Sequence, residues 1–150
     1  MENFRVLIVD DEIDFLETIV NRLKKRDFKA AGVTSGEEAI ELVQEQSFDV
    51  IILDIKMPGG MDGIEALREI RKIQPLAQVI LLTGHAAVET SIEGLKLGAF
   101  DYLLKPIKFE ELLKKMMAAY EKKSEHDRKI RDAKIQELIR DPLKIFDKDD

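Results

Sequence analysis

The chain contains no cysteine, which removes disulfides, thiolate metal sites and a cysteine nucleophile at once. Histidine is nearly as scarce. His85 and His126 are the only two, which argues against a metal centre built on imidazole. Long apolar runs are missing as well: no stretch approaches the ~20 apolar residues of a membrane span. The N-terminal run Val6–Val9 is stopped by Asp10, Asp11 and Glu12, so it does not read as the apolar region of a signal peptide. The expectation is a cytoplasmic protein that does not engage a membrane. Nor is there an excess of positive charge. With 24 basic against 30 acidic residues the formal charge is -6, the opposite of the basic footprint that nucleic-acid phosphates require.

What is present fits one soluble domain. The 150 residues are 45% apolar and 36% charged, enough for one complete core but not for two full-sized domains. The charge is uneven. Residues 121–150 hold 9 basic and 9 acidic residues, so residues 1–120 keep 15 basic and 21 acidic and carry the whole -6. The texture changes at the same point, from alternating apolar blocks to a stretch in which 18 of 30 residues are charged. Residues 1–120 are therefore read as the domain and 121–150 as a charged helical tail or linker.

Short apolar runs recur through the domain at Val6–Val9, Val50–Leu53, Val79–Leu82 and Tyr102–Leu104, with a weaker one at Phe28–Ala31. Continuous aliphatic runs of this length suit strands buried on both faces of a parallel sheet. The intervals carry helical spacing. Phe15, Leu16, Ile19, Val20 and Leu23 share one face, and Ser35 with Glu38 forms a capping-box signature ahead of Ala39, Leu42 and Val43. Ile64, Leu67, Ile70 and Ile73 mark a third helix closed by Pro75, and Ile92, Leu95 and Leu97 a short fourth ended by Gly98. Phe109, Leu112, Leu113, Met116, Met117 and Tyr120 give the clearest helical face. Five strands alternating with five helices predict an α/β fold, an open doubly wound sheet with right-handed crossovers.

Ligands of such folds bind beyond the carboxyl ends of the strands. Here the polar residues that follow the apolar runs are Asp10 and Asp11, Asp54, Thr83 and Lys105. Taken singly, an Asp or Thr after a strand is most often a helix cap or turn former, and a lone Lys a solvated charge. Asp62 and Gly63 read as such a turn and helix start. The alternation, however, brings the other five to one rim. Three converging carboxylates repel one another and need a cation at neutral pH. Lys105 supplies one positive charge, and a hard divalent ion with oxygen ligands, Mg2+, supplies the remainder.

These residues carry a resemblance. VLIVDDE at 6–12, DVIILDIKMPGGMDGIEALREIR at 49–71, VILLTG at 79–84 and GAFDYLLKP at 98–106 resemble the receiver domain of bacterial two-component response regulators. The likeness spans roughly residues 4–120, and the wording of GAFDYLLKP is nearest to receivers that precede enhancer-binding-type activators. The resemblance implies a flavodoxin-like sheet in the order 2-1-3-4-5 and a role as a phosphorylation-dependent signalling switch. Asp54 would take a phosphoryl group from a phosphohistidine on a sensor histidine kinase or phosphotransfer protein. Asp11 would bind Mg2+ directly, Asp10 would help to hold it, and the Lys56 backbone carbonyl would complete the protein's share. Lys105 would pair with Asp54 and then with the phosphoryl oxygens, Thr83 would hydrogen-bond that group, and Tyr102 would rotate inward as the switch is thrown. Lys105–Pro106 would be a cis bond. No catalysis beyond the domain's own phosphoryl transfer and self-dephosphorylation is expected.

The loop Met57-Pro58-Gly59-Gly60-Met61-Asp62-Gly63 has one Gly more than the usual family run. Lys56 and His85 each lie two residues after a key residue; by the resemblance both would flank the path of an attacking water and would tune phosphoryl lifetime. Other readings need features this sequence lacks. A haloacid dehalogenase-like phosphohydrolase would have an acid where Lys56 stands, and a dinucleotide-binding fold would have a Gly-rich loop after the first strand. A degenerate receiver acting only as a binding module would have a damaged site. In the tail, Ser124, Asp127 and Arg128 interrupt the apolar face, and Ile130, Ile135, Leu138 and Ile139 form a thin stripe before Asp141-Pro142. The tail reads either as a solvated helix or linker, or as a helix that docks on a partner or a second copy. Asp147–Asp150 is expected to be disordered. The tail's balanced charge offers no DNA-binding surface. The output would then be a surface change read by another protein, by a monomer or a phosphorylation-dependent homodimer.

Overall fold

The computed structural model describes residues 3–84 and 88–141. His85, Pro142 and the terminal Asp147–Asp150 lie outside the described residues. Along the chain run β1 (Arg5–Val9), α1 (Ile13–Lys25), β2 (Lys29–Val33), α2 (Gly36–Glu45) and β3 (Val50–Asp54). There follow α3 (Gly63–Ile73), β4 (Gln78–Thr83), α4 (Val88–Lys96), β5 (Asp101–Leu104) and α5 (Phe109–Arg140). The five strands are all parallel, in the order β2-β1-β3-β4-β5. This is the expected doubly wound sheet.

Alternation along the central strands builds two cores. Val6, Ile8, Val50, Ile52, Ile80 and Leu82 face α1 and α5, where Leu16, Ile19 and Leu23 meet Leu112 and Met116. Leu7, Val9, Ile51, Leu53, Val79 and Leu81 face the other layer, with Val43 of α2 and Leu67 and Ile70 of α3. Each such side chain contributes about 1.5–3 kcal/mol when fully buried.

The edge strands differ from the expectation of burial on both faces. β2 is Lys29–Val33 rather than Phe28–Ala31 and consists of exposed and half-buried residues only, while Leu104 of β5 is exposed. A helix covers each of these strands less completely than it covers the centre. In α4 the outward residue is Ile92, 47% exposed, against the helical-face reading. Small residues line the inner side instead: Ser91 is buried, and a Cβ on Gly94 would collide with Leu81. Close approach of α4 to β4 requires that glycine. The capping box is present, with the Glu38 N–H donating to Ser35 Oγ over 3.2 Å.

The fifth helix does not pause at residue 121. It runs unbroken for 32 residues to Arg140, followed by Asp141 as its C-cap. Past the apolar face, polar contacts take over its attachment. Tyr120 stacks on Phe4 with ring centroids 4.4 Å apart, and Lys123 pairs with Asp49 over 3.1 Å and with Asp127 over 3.2 Å. Burial alone would lower the Lys123 pKa, but its hydrogen bonds to these two carboxylates outweigh that and raise it. Ile130, Ile135 and Ile139 are exposed. No helix among the described residues is long and apolar enough to cross a membrane.

One glycine sets the position of the strand-end rim. A Cβ on Gly63, the first residue of α3, would run into the carbonyl of Asp54 and lie 2.6 Å from Ile55 Cα. The absent side chain lets α3 start against the strand that ends in Asp54. Gly63→Ala is predicted to lower unfolding stability by about 2 kcal/mol or more, since overpacking against backbone finds little room to relax. Urea denaturation checks this, and an unchanged midpoint would contradict it.

Candidate functional site

Backbone hydrogen bonds carry the sheet one residue beyond the strand ends and fix the rim. The Asp10 N–H donates to the Val33 carbonyl over 3.1 Å, Ile55 N–H to Leu82 over 3.0 Å and Lys105 N–H to Thr83 over 2.8 Å. Asp10, Asp54, Thr83 and Lys105 are thus held by the ladder itself, each on a different strand. The Lys105–Pro106 bond is cis, as the resemblance implies.

Asp10 is fully buried and fully partnered. Its Oδ1 accepts the Glu12 N–H over 2.9 Å, and its Oδ2 accepts Lys105 Nζ over 2.9 Å. Asp54 is almost as buried. Lys105 Nζ lies 3.4 Å from its Oδ2, and the Lys56 N–H donates to its Oδ1 over 3.3 Å. One ammonium therefore serves two buried carboxylates, and Glu12 Oε1 approaches it as well, at 3.4 Å. The ring of Phe15 lies 4.9 Å from the same nitrogen. Among the described residues one carboxylate cluster could hold a metal ion: oxygens of Asp10, Asp11 and Asp54 lie within 4.8 Å of one another.

Positive charge is in short supply here. Burial, and then the neighbouring Asp10 charge, push the Asp54 pKa from 3.8 to about 6, although Lys105 and the Lys56 N–H act in the opposite direction. For Lys105, burial alone would lower the pKa. The hydrogen bond to Asp10 and the fields of Asp54, Asp10 and Glu12 outweigh it and raise it. A donor set of carboxylate oxygens with unbalanced negative charge fits a hard divalent ion such as Mg2+.

Next to the carboxylates lies a cavity of about 190 Å3 lined by Glu12, Asp54, Ile55, Lys56, Thr83, Gly84 and Lys105. Thr83 is buried, and its hydroxyl donates to the Gly84 carbonyl over 3.0 Å rather than to Asp54. Tyr102 is not among the residues that line this cavity. It lines a separate cleft with Asp101, Lys108, Glu111 and Lys115, where Lys115 Nζ donates to its backbone carbonyl over 2.7 Å. Asp62 acts as the N-cap of α3, its carboxylate accepting the Glu65 N–H over 2.9 Å, as a structural role requires. Of the sequence-predicted residues, Asp10, Asp11, Asp54, Lys56, Thr83 and Lys105 come together; His85 lies outside the described residues. Glu12 is the member that sequence reasoning missed. The signal was a third consecutive acid placed where the Asp10 carboxylate can fold it back through its N–H.

The raised Asp54 pKa makes a stability prediction. The folded state binds the Asp54 proton more tightly than the unfolded chain does, so this contribution is fully present below about pH 4 and is lost as pH rises through about 6. In chelator, Asp54→Asn should therefore stabilise the domain at pH 7–8 by about 1–3 kcal/mol. The advantage should vanish near pH 4. Thermal or urea unfolding across that range checks it, and a pH-independent difference would contradict it.

Comparison with known proteins agrees with this geometry. The family model for the response regulator receiver domain matches residues 6–117. The transcriptional regulatory protein ZraR of Escherichia coli is 40% identical over 111 residues, covering 74% of this chain and 25% of ZraR. The regulatory protein AtoC of the same organism is 41% identical over 108 residues, covering 72% of this chain and 23% of AtoC. This chain thus spans about a quarter of the length of these relatives. Among solved structures, a receiver domain protein from Clostridium thermocellum superposes with a TM-score of 0.77 at 36% identity, covering 81% of this chain and 97% of its own. With the motifs, the sheet order and the acidic rim in agreement, the chain belongs to the response regulator receiver domain family of two-component systems.

Proposed function

We propose that the domain is a phosphorylation-dependent switch in which Asp54 accepts a phosphoryl group from a phosphohistidine of a sensor histidine kinase or phosphotransfer protein. The observation that carries this reading is the placement of Asp54: a buried carboxylate 3.4 Å from Lys105 Nζ, beside a cavity of about 190 Å3. One carboxylate oxygen forms a bond to phosphorus while the phosphorus–nitrogen bond of the donor breaks, and its electron pair leaves with the imidazole. A carboxylate needs no base to become a nucleophile, so alignment and charge stabilisation carry the reaction. Mg2+ held by Asp10, Asp11, Asp54 and the Lys56 carbonyl would supply charge stabilisation to the transferring group. Lys105 is already within reach of both Asp10 and Asp54 and passes to the phosphoryl oxygens without leaving the rim.

The acyl phosphate adds charge and strong acceptor oxygens at one point. The Thr83 hydroxyl exchanges its Gly84 carbonyl for one of them, and the change at Thr83 admits the Tyr102 ring, which shares its face of the sheet. The output is a shift between two packings biased by a local charge. Phosphoryl gain and loss on its own aspartate is the only chemistry assigned to the domain, in the cytoplasm. A downstream protein reads the altered surface. The balanced charge of residues 121–150 does not favour direct DNA binding by this segment.

Incubation with Mg2+ and acetyl phosphate, read by intact mass, tests the reading. One added phosphoryl group is expected on the wild type and none on Asp54→Asn, with labelling of Lys105→Ala slowed about 10²-fold or more. Labelling that persists in Asp54→Asn would overturn the assignment, and turnover of many phosphomonoesters would favour a hydrolase. Lys56 is exposed at the cavity mouth, so Lys56→Ala is expected to change the acyl-phosphate half-life. Equal half-lives would remove that role.

A further inference from the structure

The loop between β3 and α3 is anchored at two points. At its base the Gly63 N–H donates to the Ile55 carbonyl over 2.9 Å. Near its far end the Met61 N–H donates to Glu37 Oε1 over 2.7 Å, a contact from the first turn of α2, 24 residues earlier in the chain. The Met61 side chain lies against the same turn: a Cβ on Gly36 would stand 3.4 Å from its Cγ and Sδ. Between the two anchors lie Gly59, at φ +87°, and Gly60. Consecutive glycines give a loop the most conformational freedom to lose. Gly60 also makes room for the second anchor, because a Cβ there would sit 3.1 and 3.3 Å from the Glu37 carboxylate oxygens. The extra glycine therefore loosens the loop and, at the same position, admits the carboxylate that restrains it. Lys56, whose N–H bonds Asp54, lies within this loop.

We propose that Glu37 is a positioning residue for the acidic site. By accepting the Met61 N–H beside Gly60, it holds the β3–α3 loop in the conformation that keeps Lys56 against Asp54. A hydrogen bond to a carboxylate is among the stronger ones available to a backbone N–H, and groups that orient metal ligands without touching the ion still alter its affinity. The inference rests on the reading of this rim as a divalent-cation site. Glu37 touches neither Asp54 nor any of the carboxylates grouped with it, so its effect reaches the site through the loop.

Calorimetric titration with Mn2+, a probe for an oxygen-ligand site, tests this on the whole chain without phosphorylation. Glu37→Ala should weaken Mn2+ binding about three- to tenfold. Glu37→Gln, which keeps an acceptor oxygen of lower strength, should retain most of the wild-type affinity. Gly60→Ala, whose methyl crowds the carboxylate, should shift affinity in the same direction as Glu37→Ala and serves if that variant folds poorly. Wild-type affinity in both Glu37→Ala and Gly60→Ala would overturn the inference. So would equal weakening in Glu37→Gln, since that assigns the effect to charge. A wild-type chain that binds no Mn2+ would instead overturn the metal-site reading, and this inference with it.

Discussion

The site depends on one ammonium shared among carboxylates that the backbone does not allow to separate. Lys105 Nζ stands 2.9 Å from Asp10 and 3.4 Å from both Asp54 and Glu12. In a flexible segment such groups would move apart into water. Here they cannot, because Asp10, Asp54 and Lys105 are tied to parallel strands whose hydrogen-bond ladder continues past the strand ends. The sheet stores an unfavourable charge arrangement, and the two hydrophobic layers beneath it supply the stability that tolerates this. A site in this state responds strongly to added charge, whether a divalent cation or a phosphoryl group.

The same economy explains the division of labour around the rim. Asp10 is satisfied by Glu12 N–H and by Lys105, so it is fixed. Asp54 has longer contacts, 3.3 and 3.4 Å, and carries the raised pKa. Of the two buried carboxylates it is the less closely partnered. Thr83 has its hydroxyl turned to the adjacent Gly84 carbonyl, a neutral local bond that a stronger acceptor can displace.

Much of this was legible from the chain. Asp10, Asp54, Thr83 and Lys105 each follow an apolar run directly, and a parallel sheet puts the ends of such runs together whatever lies between them. Periodicity placed the helices, because a face of Leu16, Ile19 and Leu23 has only one partner layer to meet. Outcomes set by contacts distant in sequence were not legible. Ile92 faces outward because Gly94 lets the opposite side of α4 approach Leu81, which apolar spacing alone misreads. The exposure of Leu104 follows from the position of β5 at the sheet edge. The helical tail was legible, but the ion pair that ties it to the domain was not: Lys123 meets Asp49, 74 residues earlier in the chain.

The central claim is that the rim is short of positive charge and that Asp54 registers the shortage. Carbon-detected NMR titration of the Asp54 side-chain carboxyl, with and without Mg2+, measures this at the atom concerned. The account predicts a pKa of about 6 in chelator, driven well down when Mg2+ is added. An ordinary carboxylate pKa in chelator, indifferent to Mg2+, would contradict it.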